Sequence, residues 1–310
     1  MKALLFPGQG SQTVGMGLEL YNNFNFVKEI FQETDDKLKF KLSKIILEGP
    51  ENELKLTKNT QPAILTISYA IYKTLTKEFN FNLKDVKYFA GHSLGEYSAL
   101  VCSGSLNFSD AIYLLYERGK AMQEAVSVGE GGMLAVLGCS MDEINDHLKK
   151  LDKNEVCEVA NDNANGQIIL SGKINSIKKI KDILKVEGKK SIELPVSAPF
   201  HCSLMKPAAE NMTDKIMQTY FEIPKNEIIT NVKALPENKV ENIKNLLIEQ
   251  IYSKVRWRES ILFMSNNSIK EYVEFGPGKV LSGMIKRTIK DANTININSV
   301  EDLKKFSNES

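Results

Sequence analysis

The sequence predicts an α/β fold: an α/β-hydrolase-like domain built on a mainly parallel sheet, carrying an inserted ferredoxin-like (βαββαβ) subdomain. Three observations predict it. Short apolar runs alternate with longer helix-like stretches toward both ends of the chain, the order that builds a parallel sheet. Glycine-bearing turns close those runs, at the strand ends where open α/β sheets place their ligands. The middle of the chain instead reads strand, helix, strand, strand, helix, strand.

Lys2–Phe6 reads as a short buried strand ended by Pro7-Gly8-Gln9-Gly10. Thr60-Gln61-Pro62 predicts a helix start, with Thr60 as N-cap and the proline near the first turn, running on to Phe79. Val86–Ala90 is the next strand, and Ser109-Asp110 caps a helix to about Ala125. Gly129-Glu130-Gly131-Gly132 then breaks the pattern. Beyond it come a strand (Met133–Leu137), a helix (Met141–Leu151), strands at Glu155–Val159 and Gln167–Ser171, a helix (Ser176–Glu187) and a strand (Ser191–Pro195). Residues 128–197 are therefore expected to form the insert, and residues 1–127 with 198–310 the large domain, the chain returning to it near Ser197. Glu271–Phe275 is a late strand, followed by Gly276-Pro277-Gly278 and a second strand-to-helix turn.

Bulk composition narrows the function. The 310 residues are 42% apolar and 25% charged, ordinary for a globular protein. A formal net charge of +1 offers no basic excess for neutralising phosphates, so nucleic acid is not an expected partner. Cys102, Cys139, Cys157 and Cys202 form no C-x-x-C pair and read as reduced, mostly buried thiols. The N-terminus enters structure at once and no apolar run reaches the length of a membrane span, so a cytoplasmic protein is expected, with no membrane contact. A monomer is the default, since no interface signal stands out.

Gly91-His92-Ser93-Leu94-Gly95 carries the chemistry. This G-x-S-x-G lies between the apolar Val86–Ala90 run and the helix-like Glu96–Cys102 run. A strand–turn–helix of this kind strains the serine backbone, exposes its hydroxyl and offers free N–H groups to a developing oxyanion. A serine nucleophile needs a base, and the chain has three histidines. His147 lies on a charged helix and reads as solvated, while His92 should point away from its neighbour Ser93. His201, where the insert rejoins the large domain, is the best general base by elimination.

Arg118 falls on the apolar stripe Ala111, Leu115, Met122, Ala125 of its predicted helix. Such an arginine is explained by an internal salt bridge, by snorkelling at the stripe's edge, or by a bound carboxylate gripped by the guanidinium fork. Gly8-Gln9-Gly10-Ser11-Gln12 is neither a dinucleotide fingerprint, since Thr13 stands where the last glycine belongs, nor a phosphate loop. No cofactor or metal is expected. Gln9 N–H could serve as an oxyanion donor beside Leu94 N–H, or the loop could simply close the turn.

Phe6-Pro7-Gly8-Gln9-Gly10-Ser11-Gln12, Thr60-Gln61-Pro62-Ala63, Gly91-His92-Ser93-Leu94-Gly95-Glu96, Tyr116-Glu117-Arg118-Gly119, Phe200-His201 and Phe275-Gly276-Pro277-Gly278 occur in that order. Over its whole length the chain resembles the acyltransferases of fatty-acid and polyketide synthesis, in their malonyl-CoA:acyl-carrier-protein transacylase branch. The resemblance implies a two-step transfer. Ser93 would take malonyl from malonyl-CoA with His201 as base, and the phosphopantetheine thiol of acyl carrier protein would then take it from a malonyl-Ser93 ester. Gln9 and Leu94 match the oxyanion donors and Arg118 the arginine that binds the malonyl carboxylate. Gln250 matches a glutamine near the main-chain carbonyl that orients the histidine. Phe200 resembles the malonyl-selecting form. Asn161–Gly166 is a polar version of a loop that often holds proline. A polyketide-type pathway, or a serine thioesterase or hydrolase, remains the alternative.

Lys173, Lys178, Lys179, Lys181, Lys185, Lys189 and Lys190 surround the insert's second helix, opposite Ile174, Ile177, Ile180 and Leu184. They read as a solvated face or as a patch steering an acidic carrier protein, a role that Lys286-Arg287 could share.

Overall fold

The computed structural model describes all residues except 80, 153, 197 and 310. Its strands are β1 (Lys2–Phe6), β2 (Val86–Gly91), β3 (Gly131–Leu137), β4 (Cys157–Ala164), β5 (Gln167–Lys173), β6 (Lys190–Glu193), β7 (Glu227–Ile229), β8 (Pro236–Glu237), β9 (Glu271–Phe275) and β10 (Asn293–Ile297). They form two sheets, ordered β10-β9-β1-β2-β7-β8 and β4-β5-β3-β6.

The first sheet is parallel from β10 to β7, with β8 antiparallel at its edge. Its central strands are buried on both faces, and the two-residue period of a strand divides their side chains. Leu4, Phe6, Phe89 and Val273 enter one core cluster, while Ala3, Leu5, Tyr88, Ala90 and Tyr272 enter another. Phe6 stacks between Phe89 and Phe275, with ring centroids 6.1 and 5.9 Å away. The second sheet is antiparallel and has the ferredoxin-like order. Its own core sets Leu134, Val136 and Leu170 against Ile177, Ile180 and Leu184 of the Ile174–Val186 helix.

The predicted α/β class is present with a parallel and a ferredoxin-like sheet, and two helices start elsewhere than expected. The Thr57–Glu78 helix begins before Thr60, with Leu56 as its N-cap, so Pro62 stands beyond the first turn. Thr60 turns its hydroxyl back to Leu54 O at 2.5 Å instead of capping. The Phe108–Glu124 helix is capped by Asn107, whose Oδ1 accepts from Ser109 N–H at 2.9 Å, and not by Ser109 or Asp110. The expected return of the chain at Ser197 lies outside the described residues.

The polar Asn161–Gly166 segment is largely strand, because β4 runs on to Ala164. The Asp162 and Asn163 side chains are buried with partners, which offsets their desolvation. Asp162 N–H donates to Val255 O at 3.0 Å, and the Asp162 carboxylate takes a bidentate fork from Arg258. These contacts tie the small sheet to the segment leading into the Trp257–Asn266 helix.

Candidate active site

The end of β2 enters the Gly95–Cys102 helix through a turn that needs glycine at both ends. A Cβ on Gly91 would stand 1.9 Å from the Gly95 carbonyl carbon, and one on Gly95 would stand 2.2 Å from Phe6 O. Ser93, at the apex, has φ +54°, in the left-handed region where a side chain is strained. Asn231 holds the turn from across the sheet. Its Oδ1 accepts from Ser93 N–H at 2.7 Å, and its Nδ2 donates to Gly91 O at 2.7 Å.

Ser93 Oγ lies 2.8 Å from His201 Nε2, and His201 Nδ1 lies 2.8 Å from the main-chain carbonyl of Gln250. With that carbonyl accepting from an Nδ1–H, Nε2 is left as the acceptor that faces the serine. His201 shares the strain of its partner, with φ +58°. Burial, and then the nearby Arg118 charge, lower the imidazole from its ordinary 6.5 to about 3, while its bond to the Gln250 carbonyl works the other way. The ring is therefore neutral near pH 7 and can accept the hydroxyl proton.

Arg118 is 1% exposed. Its Nη1 donates to Gln61 Oε1 at 2.7 Å, and its Nη2 donates to Gln250 Oε1 at 2.8 Å and Ser93 Oγ at 3.2 Å. Every acceptor is neutral, and Nε has no partner among the described residues. The salt-bridge and snorkelling readings of this arginine are thereby set aside. A buried cation without a counter-ion in contact is a receptor for an anion.

Behind the arginine, Gln250 belongs to a layer whose other members, Glu96 and Asn231, the sequence assigned no role. Gln250 Nε2 donates to Glu96 Oε2 at 2.7 Å and to Ser93 O at 3.0 Å, and Asn231 N–H donates to Glu96 Oε2 at 3.1 Å. Burial drives the Glu96 carboxyl up to about 7 against these bonds and the Arg118 charge. Glu96 and Gln61 fall within recurring motifs, a signal that they matter without indicating how. Asn231 carries no local signal, because its partners lie 138 and 140 positions away.

Gln9, Leu94 and Phe200 line the same cavity of about 160 Å³, together with Met133, Ile169 and Met284. Neither Gln9 N–H nor Leu94 N–H donates to a protein acceptor among the described residues, so both are open to a ligand. The second glycine turn also serves this cavity, since Val280 and Leu281, just beyond it, line the wall. His92 points away from Ser93 as expected, its Nε2 lying 2.8 Å from Asn163 Oδ1 on β4. His147 is remote from the site, and its reading as solvated is corrected. It is buried, with Nε2 3.0 Å from Glu187 Oε2, because the end of the Ile174–Val186 helix folds over it.

A buried nucleophile–base pair beside an unpaired cation suits transfer of an acyl group that carries a carboxylate. Comparison with known proteins is consistent with this chemistry. Residues 3–306 match the acyl transferase domain family. The chain is 42% identical to the malonyl CoA-acyl carrier protein transacylase of Bacillus subtilis, over 97% of this chain and 94% of that protein. It superimposes on an acyl-carrier-protein-S-malonyltransferase from Bartonella henselae with a TM-score of 0.96 and 40% identity, covering 99% and 98% of the two chains. A malonyl-transacylase solved in complex with its type II polyketide acyl-carrier protein gives a TM-score of 0.95 at 36% identity, covering 100% and 99%. Sequence and fold agree along the whole chain, which belongs to the acyl transferase family of the malonyl CoA-acyl carrier protein transacylases.

Proposed function

We propose that this chain is an [acyl-carrier-protein] S-malonyltransferase that moves malonyl from malonyl-CoA to the phosphopantetheine thiol of acyl carrier protein, supplying fatty-acid biosynthesis. The observation that carries the reading is Arg118, buried with only neutral acceptors in contact and within 3.2 Å of Ser93 Oγ. A malonyl thioester brings a carboxylate to the fork and sets its carbonyl carbon beside the nucleophile. A hydrolase acting on neutral esters has no use for that cation.

In the first half-reaction, His201 Nε2 takes the Ser93 hydroxyl proton as Oγ bonds to the thioester carbon. Gln9 and Leu94 N–H groups hold the oxyanion, each worth about 3 kcal/mol of transition-state stabilisation. Collapse breaks the C–S bond, and His201 returns its proton to the departing CoA sulfur. The malonyl-Ser93 ester keeps its carboxylate on Arg118. In the second half, the pantetheine thiol gives its proton to His201 and attacks the ester, and Ser93 leaves with that proton. The Gln250 carbonyl holds the imidazole throughout, and Phe200 shapes the acyl end of the cavity.

The solved complex of a relative with a carrier protein supports a protein acceptor. The reading extends to an acidic carrier as a transient partner and to a monomeric, cytoplasmic enzyme that needs no cofactor. Residues 128–197 would form a subdomain on residues 1–127 and 198–310, with the cleft where they meet.

Intact-mass measurement after brief incubation with malonyl-CoA or acetyl-CoA tests the reading. A malonyl adduct on the wild type, absent in Ser93→Ala, is expected. Absence of an adduct, equal loading of both acyl groups, or malonate release as fast as transfer would sink it.

A further inference from the structure

Glu96 touches neither Ser93 Oγ nor the Arg118 guanidinium, yet one oxygen of its carboxylate serves both neighbourhoods. Glu96 Oε2 accepts from Gln250 Nε2 at 2.7 Å and from Asn231 N–H at 3.1 Å. Gln250 Oε1 accepts from Arg118 Nη2, and the Asn231 side chain holds the backbone of the Ser93 turn. A primary amide has one accepting end and one donating end. Arginine only donates and a carboxylate only accepts, so each fixes the Gln250 amide in the same sense. The second amide on Arg118 has no such backing. Gln61 Oε1 accepts from Nη1, but its Nε2 meets only the Met122 sulfur, at 3.8 Å.

We propose that Glu96 is a positioning residue that sets acyl-donor selectivity: it locks the Gln250 amide, and that amide aims the Arg118 fork at the acyl carboxylate. The proposal rests on the malonyl-transfer reading above. Glu96, Gln250 and Arg118 are all essentially excluded from solvent, where an unpaired amide N–H or a misdirected carbonyl is most unfavourable. Without the carboxylate, Gln250 Nε2 retains only Ser93 O, and the amide is free to turn its NH₂ toward a group that only donates. The guanidinium then loses one of its two amide anchors. Donors with a carboxylate lose most from this, because the Asn231 side chain still holds Ser93 N–H and Gly91 O and His201 still faces Ser93 Oγ.

The test measures serine acylation of Glu96→Ala, Glu96→Gln and Glu96→Asp by malonyl-CoA and acetyl-CoA, separating kcat from KM. In Glu96→Ala, malonyl-CoA KM is expected to rise and the malonyl-to-acetyl ratio to fall about tenfold, the effect of losing one buried charge-assisted contact. Glu96→Gln keeps an acceptor oxygen and is expected to restore the ratio to within about threefold of wild type, a window narrower than one neutral hydrogen bond. Should Glu96→Ala not fold, Glu96→Asp decides, its shorter stem withdrawing the acceptor while keeping the charge. It too should lower the ratio, with malonyl loading losing more than acetyl loading.

Equal losses for both donors would make Glu96 a structural residue, and no change would leave it without a role. Failure of Glu96→Gln to restore the ratio would assign the effect to charge. Any of these overturns the proposal. If the wild type itself loads no malonyl, the transfer reading fails instead.

Discussion

Arg118 Nη2 lies 3.2 Å from Ser93 Oγ, so a buried cation and the nucleophile share one hydrogen bond. A carboxylate arriving at the fork competes for that donor, so binding the acyl group also loosens the restraint on the serine. Arg118→Lys keeps the charge but loses the planar fork, and the Gln61 and Gln250 oxygens cannot both be met in the same way. Malonyl loading should fall about 10- to 100-fold, the effect of a lost bidentate charge-assisted contact. Single-turnover acylation by malonyl-CoA measures it, and near-wild-type loading by the lysine variant would contradict the fork argument.

Asn231 should matter to both catalysis and stability. Truncation to alanine frees the Ser93 N–H and Gly91 O in a turn already strained at φ +54°. Two buried groups left without partners correspond to about 2–4 kcal/mol, well beyond an ordinary surface change. Thermal unfolding of Asn231→Ala, together with its acylation rate, gives the answer. Unchanged unfolding would mean that the turn holds itself.

Two buried groups give opposite pH dependences. His201 titrates near 6.5 when unfolded and about 3 when folded, so in that window the unfolded chain binds a proton that the folded one refuses. Stability should therefore fall as pH drops from about 6.5 toward about 3. Glu96 titrates near 4.5 when unfolded and about 7 when folded, so its contribution is lost as pH rises through that range. Each slope is limited to about 1.4 kcal/mol per pH unit. Denaturant titrations across pH should show His201→Gln flattening the climb in stability above about pH 3 and Glu96→Gln removing the fall in stability between about pH 4.5 and 7. Parallel curves for all three proteins would refute both assignments.

Gly95 and Gly283 should respond in opposite directions to alanine. A Cβ at Gly95 meets Phe6 O at 2.2 Å, whereas at Gly283, exposed in the Val280–Thr288 helix, it meets nothing within 4 Å. Gly283→Ala is expected to stabilise by about 0.5–1 kcal/mol through helix propensity. Gly95→Ala should displace β1 from the turn and abolish Ser93 acylation. Calorimetry of the pair checks this, and a stable, active Gly95→Ala would show that the turn can relax.

Carrier-protein docking can be divided between two basic regions. Lys179, Lys181 and Lys189 already pair with Glu155, Glu193 and Glu143 at 2.7, 2.6 and 2.7 Å, which reduces their outward field. Lys286 and Arg287 are exposed on the helix whose first turn lines the cavity. Charge reversal at Lys286 and Arg287 should raise the carrier-protein KM several-fold at low salt, and reversal at Lys179 and Lys181 should raise it less. The reverse order would move the docking face to the small sheet.

What could be read from the sequence is what short-range sterics and periodicity govern. The Ser93 turn was legible because Gly91 and Gly95 are required within five residues of it, and β1, β2 and β9 because their apolar runs are buried on both faces. Arg118 was visible as a charge on an apolar stripe, although the stripe alone left its partner open. Helix starts were misplaced at Thr60 and Ser109 because a good capping residue stood just inside each true boundary. Asn231 and Glu96 were out of reach for a different reason. Their roles exist only once β7, the Ser93 turn and the end of the Val240–Gln250 helix have come together. His147 was misread because the Glu187 that receives it lies on another helix end, outside its own helical pattern.

The histidine of this site is steadied by a peptide carbonyl, with no side chain among the described residues in the role. Mutation can change what residue 250 projects toward Arg118 but cannot delete the oxygen behind the imidazole, so that support is carried by the path of the chain itself. A carbonyl is also uncharged, and an imidazolium formed against it surrenders its proton more readily than one facing a carboxylate. That suits a site where the imidazolium must hand its proton on in each half-reaction, first to a thiolate and then to the Ser93 oxygen.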